Sequence, residues 1–78
     1  MKTHHVIVRQ ISATQYRVYS GGSLLINESS TPFRDSAQML LADGAAVDDM
    51  LVCSIEGSVY ETLRNRVGKL AGNSNNDR

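Results

Sequence analysis

Residues 31–44, Thr-Pro-Phe-Arg-Asp-Ser-Ala-Gln-Met-Leu-Leu-Ala-Asp-Gly, carry a helix with both ends written into it, and this segment constrains everything around it. Thr31 has the hydroxyl of an N-cap, able to accept a bond from a free amide of the first turn. Pro32 suits the first helical position, which needs no amide hydrogen and already has the right φ. Asp35 puts a negative charge in the first turn, where the helix dipole favours it. Gly44 can adopt the left-handed conformation that ends a helix. Between these signals Phe33, Ala37, Leu40 and Leu41 recur at i, i+4, i+7 and i+8, which gives one apolar face. Such a face needs a sheet to cover.

The segments before and after supply one. Residues 4–11, His-His-Val-Ile-Val-Arg-Gln-Ile, are rich in β-branched side chains and read as a first strand. In residues 15–20, Tyr16 and Val18 alternate with Arg17 and Tyr19. Gly21-Gly22 then offers the positive φ values of a tight hairpin. Residues 23–27 make a third strand on Leu24, Leu25 and Ile26. In residues 50–56, Leu51, Cys53 and Ile55 share one face of a fourth strand. Helical crossovers between strands of one sheet are right-handed, so the fourth strand is expected parallel to the first, in the order 3-2-1-4.

Beyond Gly57, Ser58 and Glu61 spell a capping box, with Val59, Leu63, Val67 and Leu70 at helical spacing behind it. They predict a C-terminal helix over residues 59–71. Gly68 costs such a helix about 1 kcal/mol relative to alanine, and the competing reading is an extended loop with one helical turn near residues 67–71. The expected fold is therefore α+β: an antiparallel three-stranded meander, a central helix, a fourth strand and a C-terminal helix, in one two-layer domain over residues 1–72. Val18, Leu24, Ile26 and Leu51 are expected beneath the central helix. The polar residues 73–78 read as a disordered tail.

At 78 residues with 41% hydrophobic side chains, the chain has enough apolar matter for a single small core. A core of this size is often completed by a partner or a second copy of the chain. No apolar run approaches the roughly 20 residues of a membrane span, and the N-terminus lacks the apolar stretch of a secretory signal. The single cysteine fits a reducing, cytoplasmic setting.

Catalytic chemistry finds little to work with. Cys53 alternates with Leu51 and Ile55, the profile of a buried thiol rather than an activated nucleophile. His4 and His5 are adjacent on a strand, so they point to opposite faces and cannot readily share a metal ion. No phosphate-binding loop, nucleophile elbow or zinc-protease motif is present. The expectation is a protein that is not an enzyme and uses no metal or cofactor.

Charge is the more informative property. The net charge is zero, yet residues 35–63 hold Asp35, Asp43, Asp48, Asp49, Glu56 and Glu61 without one lysine or arginine. The flanking thirds carry +3 each. The candidate partner-binding residues are therefore Asp43, Asp48, Asp49 and Glu56, with Met39 on the outer helix face as an apolar anchor. A solvated acidic loop is the plain alternative. Zero net charge argues against binding driven mainly by phosphate contacts, although Arg64, Arg66 and Lys69 cluster, and Arg9, Arg17 and Tyr19 could share a sheet face.

The helix motif T-P-F-x-D-x-A-x-x-L-L-A-x-G, followed by Gly57-Ser58 and then Val67-Gly68 with Leu70-Ala71, resembles small phage and prophage proteins of alphaproteobacteria. That group is similar to anti-CRISPR proteins, the inhibitors of type I CRISPR–Cas effectors. The shared motifs are structural: a capped helix, a turn and a packing glycine. The resemblance implies a cytoplasmic protein that binds a Cas protein surface and blocks recruitment of target DNA. The alternatives are a phage protein that binds another host factor or dimerises, and a small nucleic-acid binder using the basic C-terminal helix.

Overall fold

The computed structural model describes residues 1–57 and 62–72. Among the described residues seven elements follow one another: β1 (Thr3–Gln10), β2 (Tyr16–Ser20), β3 (Ser23–Ser29), α1 (Pro32–Ala42), β4 (Met50–Ile55), β5 (Thr62–Arg66) and α2 (Val67–Leu70). The strands form one mixed sheet in the order β3-β2-β1-β4-β5. β1–β2–β3 is an antiparallel meander, β4 returns parallel to β1, and β5 closes the far edge antiparallel to β4. The expected α+β class, the meander and the order 3-2-1-4 are therefore present.

The C-terminal helix over residues 59–71 is not. Residues 62–66 form a fifth strand, and only Val67–Leu70 are helical. The pattern Thr-Leu-Arg-Asn-Arg explains this: Leu63 and Asn65 turn inward while Thr62, Arg64 and Arg66 are exposed, a period of two rather than 3.6. Pairing with β4 then satisfies the backbone of both strands, which an isolated helix ending in one turn could not do for β4. The Ser58/Glu61 capping box and Val59 lie outside the described residues, as does the tail 73–78.

The two faces of the sheet differ. Val6 and Val8 of β1, Val18 of β2, and Leu51 and Cys53 of β4 are buried towards α1 and α2, where they meet Ala37, Val67 and Ala71. Phe33, Leu40, Leu41, Leu63 and Leu70 pack around that cluster. Of the four positions expected beneath the helix, Leu24 is the exception, being 52% exposed. The cause is register. Val18 pairs with Ile26, but Tyr19 pairs with Leu24, so Leu25 bulges between them. The extra residue brings Leu25 and Ile26 together against the core and turns Leu24 outward beside Tyr19.

α1 keeps the predicted bounds, but its cap is built differently. Thr31 makes no side-chain cap bond. Instead the buried Ser29 Oγ accepts the Thr31 amide at 2.9 Å and donates to Asp35 Oδ2 at 2.5 Å. At the other end Gly44 takes φ 105°, the left-handed value that releases the chain. The loop that follows is clamped by α2: the amide of Val67 donates to the Asp49 carbonyl, and that of Gly68 to the Val47 carbonyl, at 2.8 and 2.9 Å. This approach is why residue 68 is glycine. A Cβ there would lie 2.9 Å from Val47 Cβ and 3.1 Å from its carbonyl oxygen.

Candidate partner-binding surfaces

The five residues expected to form one binding surface are distributed over four environments. Asp49 is 3% exposed and serves the fold. Its carboxylate accepts from the Lys2 amide and from His4 Nε2, both at 2.9 Å, and from the Ala46 amide at 3.1 Å. These bonds, led by that from His4, hold its carboxyl well below the usual carboxylate range. The knot ties the start of β1 to the loop before β4. Charge reversal at Asp49 would thus attack folding, not an interface.

Glu56 stands apart from the other carboxylates. It pairs with Arg9 across the parallel β1–β4 contact, with Arg9 Nη2 donating to Oε2 at 3.1 Å and Nε to Oε1. That bond lowers the Glu56 pKa. Asp48 is exposed in the loop before β4, where its carbonyl accepts from Arg66 at 3.0 Å. The acidic stretch of sequence is therefore not one acidic patch.

Asp43 and Met39 do come together. Asp43 caps α1, and Met39, 44% exposed, lies one turn earlier on its outer side. Between α1 and the edge strand β3 runs a shallow groove with two hollows. One, of about 370 Å³, is lined by Leu25, Met39, Leu40, Ala42 and Asp43. The other, of about 320 Å³, is lined by Ile26, Asp35, Gln38, Met39 and Ala42. Met39 and Ala42 border both, so the groove is continuous, apolar along its floor and acidic at Asp35 and Asp43. Leu25 reaches it only because of the bulge in β3.

The opposite face of the sheet carries neither helix. One row of paired residues crosses it from edge to edge: Leu24, Tyr19, Ile7, Ser54 and Thr62. Arg9 and Arg17 pair above this row, and His5, Val52 and Arg64 pair below it, followed by Thr3, Met50 and Arg66. Ile7 is 48% exposed. Arg9 stands over the Tyr19 ring, its guanidinium carbon 5.6 Å from the centroid, a cation–π distance.

Comparison with protein-family models, curated proteins and solved structures finds no significant match.

Other candidates take simple places. Cys53 is buried in the core, and burial pushes its thiol up to about 11, which leaves it protonated at neutral pH. His4 and His5 point to opposite faces, His4 to Asp49 and His5 to the uncovered sheet face. Among the described residues no three His, Cys, Asp or Glu side chains cluster as metal ligands would. No described helix is long and apolar enough to cross a membrane. Sequence reasoning missed Asp35, Leu25 and Ile26 as groove residues, and it assigned Arg64 and Arg66 to a helix. Alternation in residues 62–66 was the available signal for the latter; a β-bulge leaves none.

Proposed function

We propose that this is a binding protein that inhibits a type I CRISPR–Cas effector, docking on a basic surface of a Cas subunit and denying target DNA its place there. The observation that carries this reading is the α1/β3 groove, where an exposed apolar anchor, Met39, lies between two carboxylates, Asp35 and Asp43. A surface that normally receives DNA is basic, so it complements that groove in charge, while Met39 gives the contact an apolar centre. The resemblance of residues 31–44 to phage proteins akin to anti-CRISPRs supports the choice of partner. Asp43 and Met39 remain as contact residues under this reading; Asp48 and Glu56 belong to other surfaces, and Asp49 belongs to the fold.

The test is a gel shift of labelled target duplex by purified type I effectors, with and without the protein. The expected result is loss of the shifted band with wild type, and retention of it when Met39→Ala and Asp43→Lys are combined. Both positions are exposed, so the variant should melt as wild type does. Undiminished inhibition by the double variant would move the interface off the groove. Failure of the wild type to bind any type I effector would overturn the assignment of partner.

A further inference from the structure

We infer that the uncovered face of the sheet binds single-stranded nucleic acid. Among the described residues the pairing register puts four arginines, Arg9, Arg17, Arg64 and Arg66, on this face, where Glu56 pairs with Arg9. Glu28 is on β3, the edge strand of the same sheet. The other acidic side chains of the described residues, Asp35, Asp43, Asp48 and Asp49, belong to α1 and the loop that follows it. The helix side carries those four carboxylates together with Arg34 of α1 and Lys69 of α2, so the sheet face is the more basic of the two. That difference steers an anion to the sheet.

The centre of the face suits bases. Tyr19 and Ile7 stand side by side in the row that crosses all five strands, flanked by Leu24 and by the hydroxyls of Ser54 and Thr62. A hollow of about 610 Å³ opens over His5, Ile7, Arg9, Tyr19, Ser54 and Glu56. An aromatic ring backed by an arginine gives a base a platform on which to stack, and arginines to either side can follow the phosphates. The four spacings between five strands add to on the order of 19 Å at about 4.8 Å each, enough for a short run of splayed nucleotides.

Duplex DNA is a poorer occupant. Its base edges are read by a helix or a two-stranded ribbon entering the groove, and a sheet face presents neither. A second copy of the chain is poorer still, since face-to-face contact sets arginine against arginine. This site goes beyond the Cas-docking reading and uses different residues, so its test needs no effector.

The experiment is fluorescence anisotropy of labelled 12-nucleotide RNA and DNA single strands with the purified full chain, over a salt series. Binding is expected in the range of about 10⁻⁴–10⁻⁶ M, with log K falling against log salt at a slope of about −2 to −3 for three or four phosphates. Tyr19→Leu keeps apolar bulk but removes the stacking plane, and should weaken binding by about 5- to 150-fold, the equivalent of 1–3 kcal/mol. Tyr19→Phe should retain binding. Arg64→Glu, at an exposed position, should weaken binding and flatten the salt slope while leaving the melting temperature unchanged. Any of four results would overturn the proposal: no salt-sensitive binding, a duplex bound as tightly as the single strands, full affinity in both Tyr19→Leu and Arg64→Glu, or polyglutamate of equal length competing as well as unlabelled strand. The last would assign the face to an acidic protein.

Discussion

Leu51 and Leu24 carry the same side chain on strands of the same sheet, and their alanine variants should differ by several kcal/mol. Leu51 is completely buried beside Cys53 and Val6, while Leu24 is 52% exposed on the uncovered face. Truncating a fully buried leucine removes its transfer free energy and leaves a cavity that a sheet cannot close, a loss of about 2–5 kcal/mol. A domain of this size has about 4–12 kcal/mol in total. At about 4–8 °C per kcal/mol, Leu51→Ala should melt at least about 8 °C lower, or fail to fold. Leu51→Val, which removes less, keeps the comparison usable at a loss of about 1 kcal/mol. Leu24→Ala should stay within about 0.5 kcal/mol of wild type. Urea unfolding followed by circular dichroism measures all three. Comparable losses in Leu24→Ala and Leu51→Ala would refute the bulge at Leu25 and the division of the sheet into covered and uncovered faces.

Two further outcomes test the C-terminal clamp and the Asp49 knot. Helix propensity alone favours Gly68→Ala by up to about 1 kcal/mol, but the new Cβ would stand 2.9 Å from Val47 Cβ. Overpacking of about 1–3 kcal/mol should win, so thermal melting should show a net loss, and a raised melting temperature would mean that α2 does not dock on the loop at Val47. Asp49 is held below its ordinary pKa by His4 and by the amides of Lys2 and Ala46, so the folded state binds its proton less readily than the unfolded chain. Its contribution is therefore complete above about pH 5 and is lost as pH falls through about 4 and below. Acid titration of the melting temperature should show a smaller fall between pH 5 and 2 for Asp49→Asn than for wild type; parallel curves would show that the knot does not act through the carboxylate.

Local signals and non-local ones part company along this chain. The helix at residues 31–44 was legible because its stop, first-turn charge and apolar spacing lie within one segment, and each depends on backbone geometry a few residues away at most. The hairpin at Gly21-Gly22 and the strands around it were legible for the same reason. Residues 62–66 were not, because Leu63 and Val67 satisfy a helical spacing as well as Leu63 and Asn65 satisfy a strand. β4 offered an open edge, and pairing with it decided the matter. The cap at Ser29 was hidden behind the better-looking Thr31, since only the path of β3 into α1 puts Ser29 Oγ beside the Thr31 amide and Asp35.

The surfaces show the same division more strongly. Sequence determined the charges and their order; it could not say which carboxylates would share a surface. Asp48 and Asp49 are neighbours, yet one faces solvent and the other accepts three hydrogen bonds from the chain around it. Arg9 and Arg64 are 55 residues apart in the chain and share a face because β1 and β5 flank β4 in the sheet. Strand pairing sets which residues become neighbours and alternation sets which side they take, and both are properties of the assembled sheet. The composition of each surface was therefore fixed only when the chain had folded.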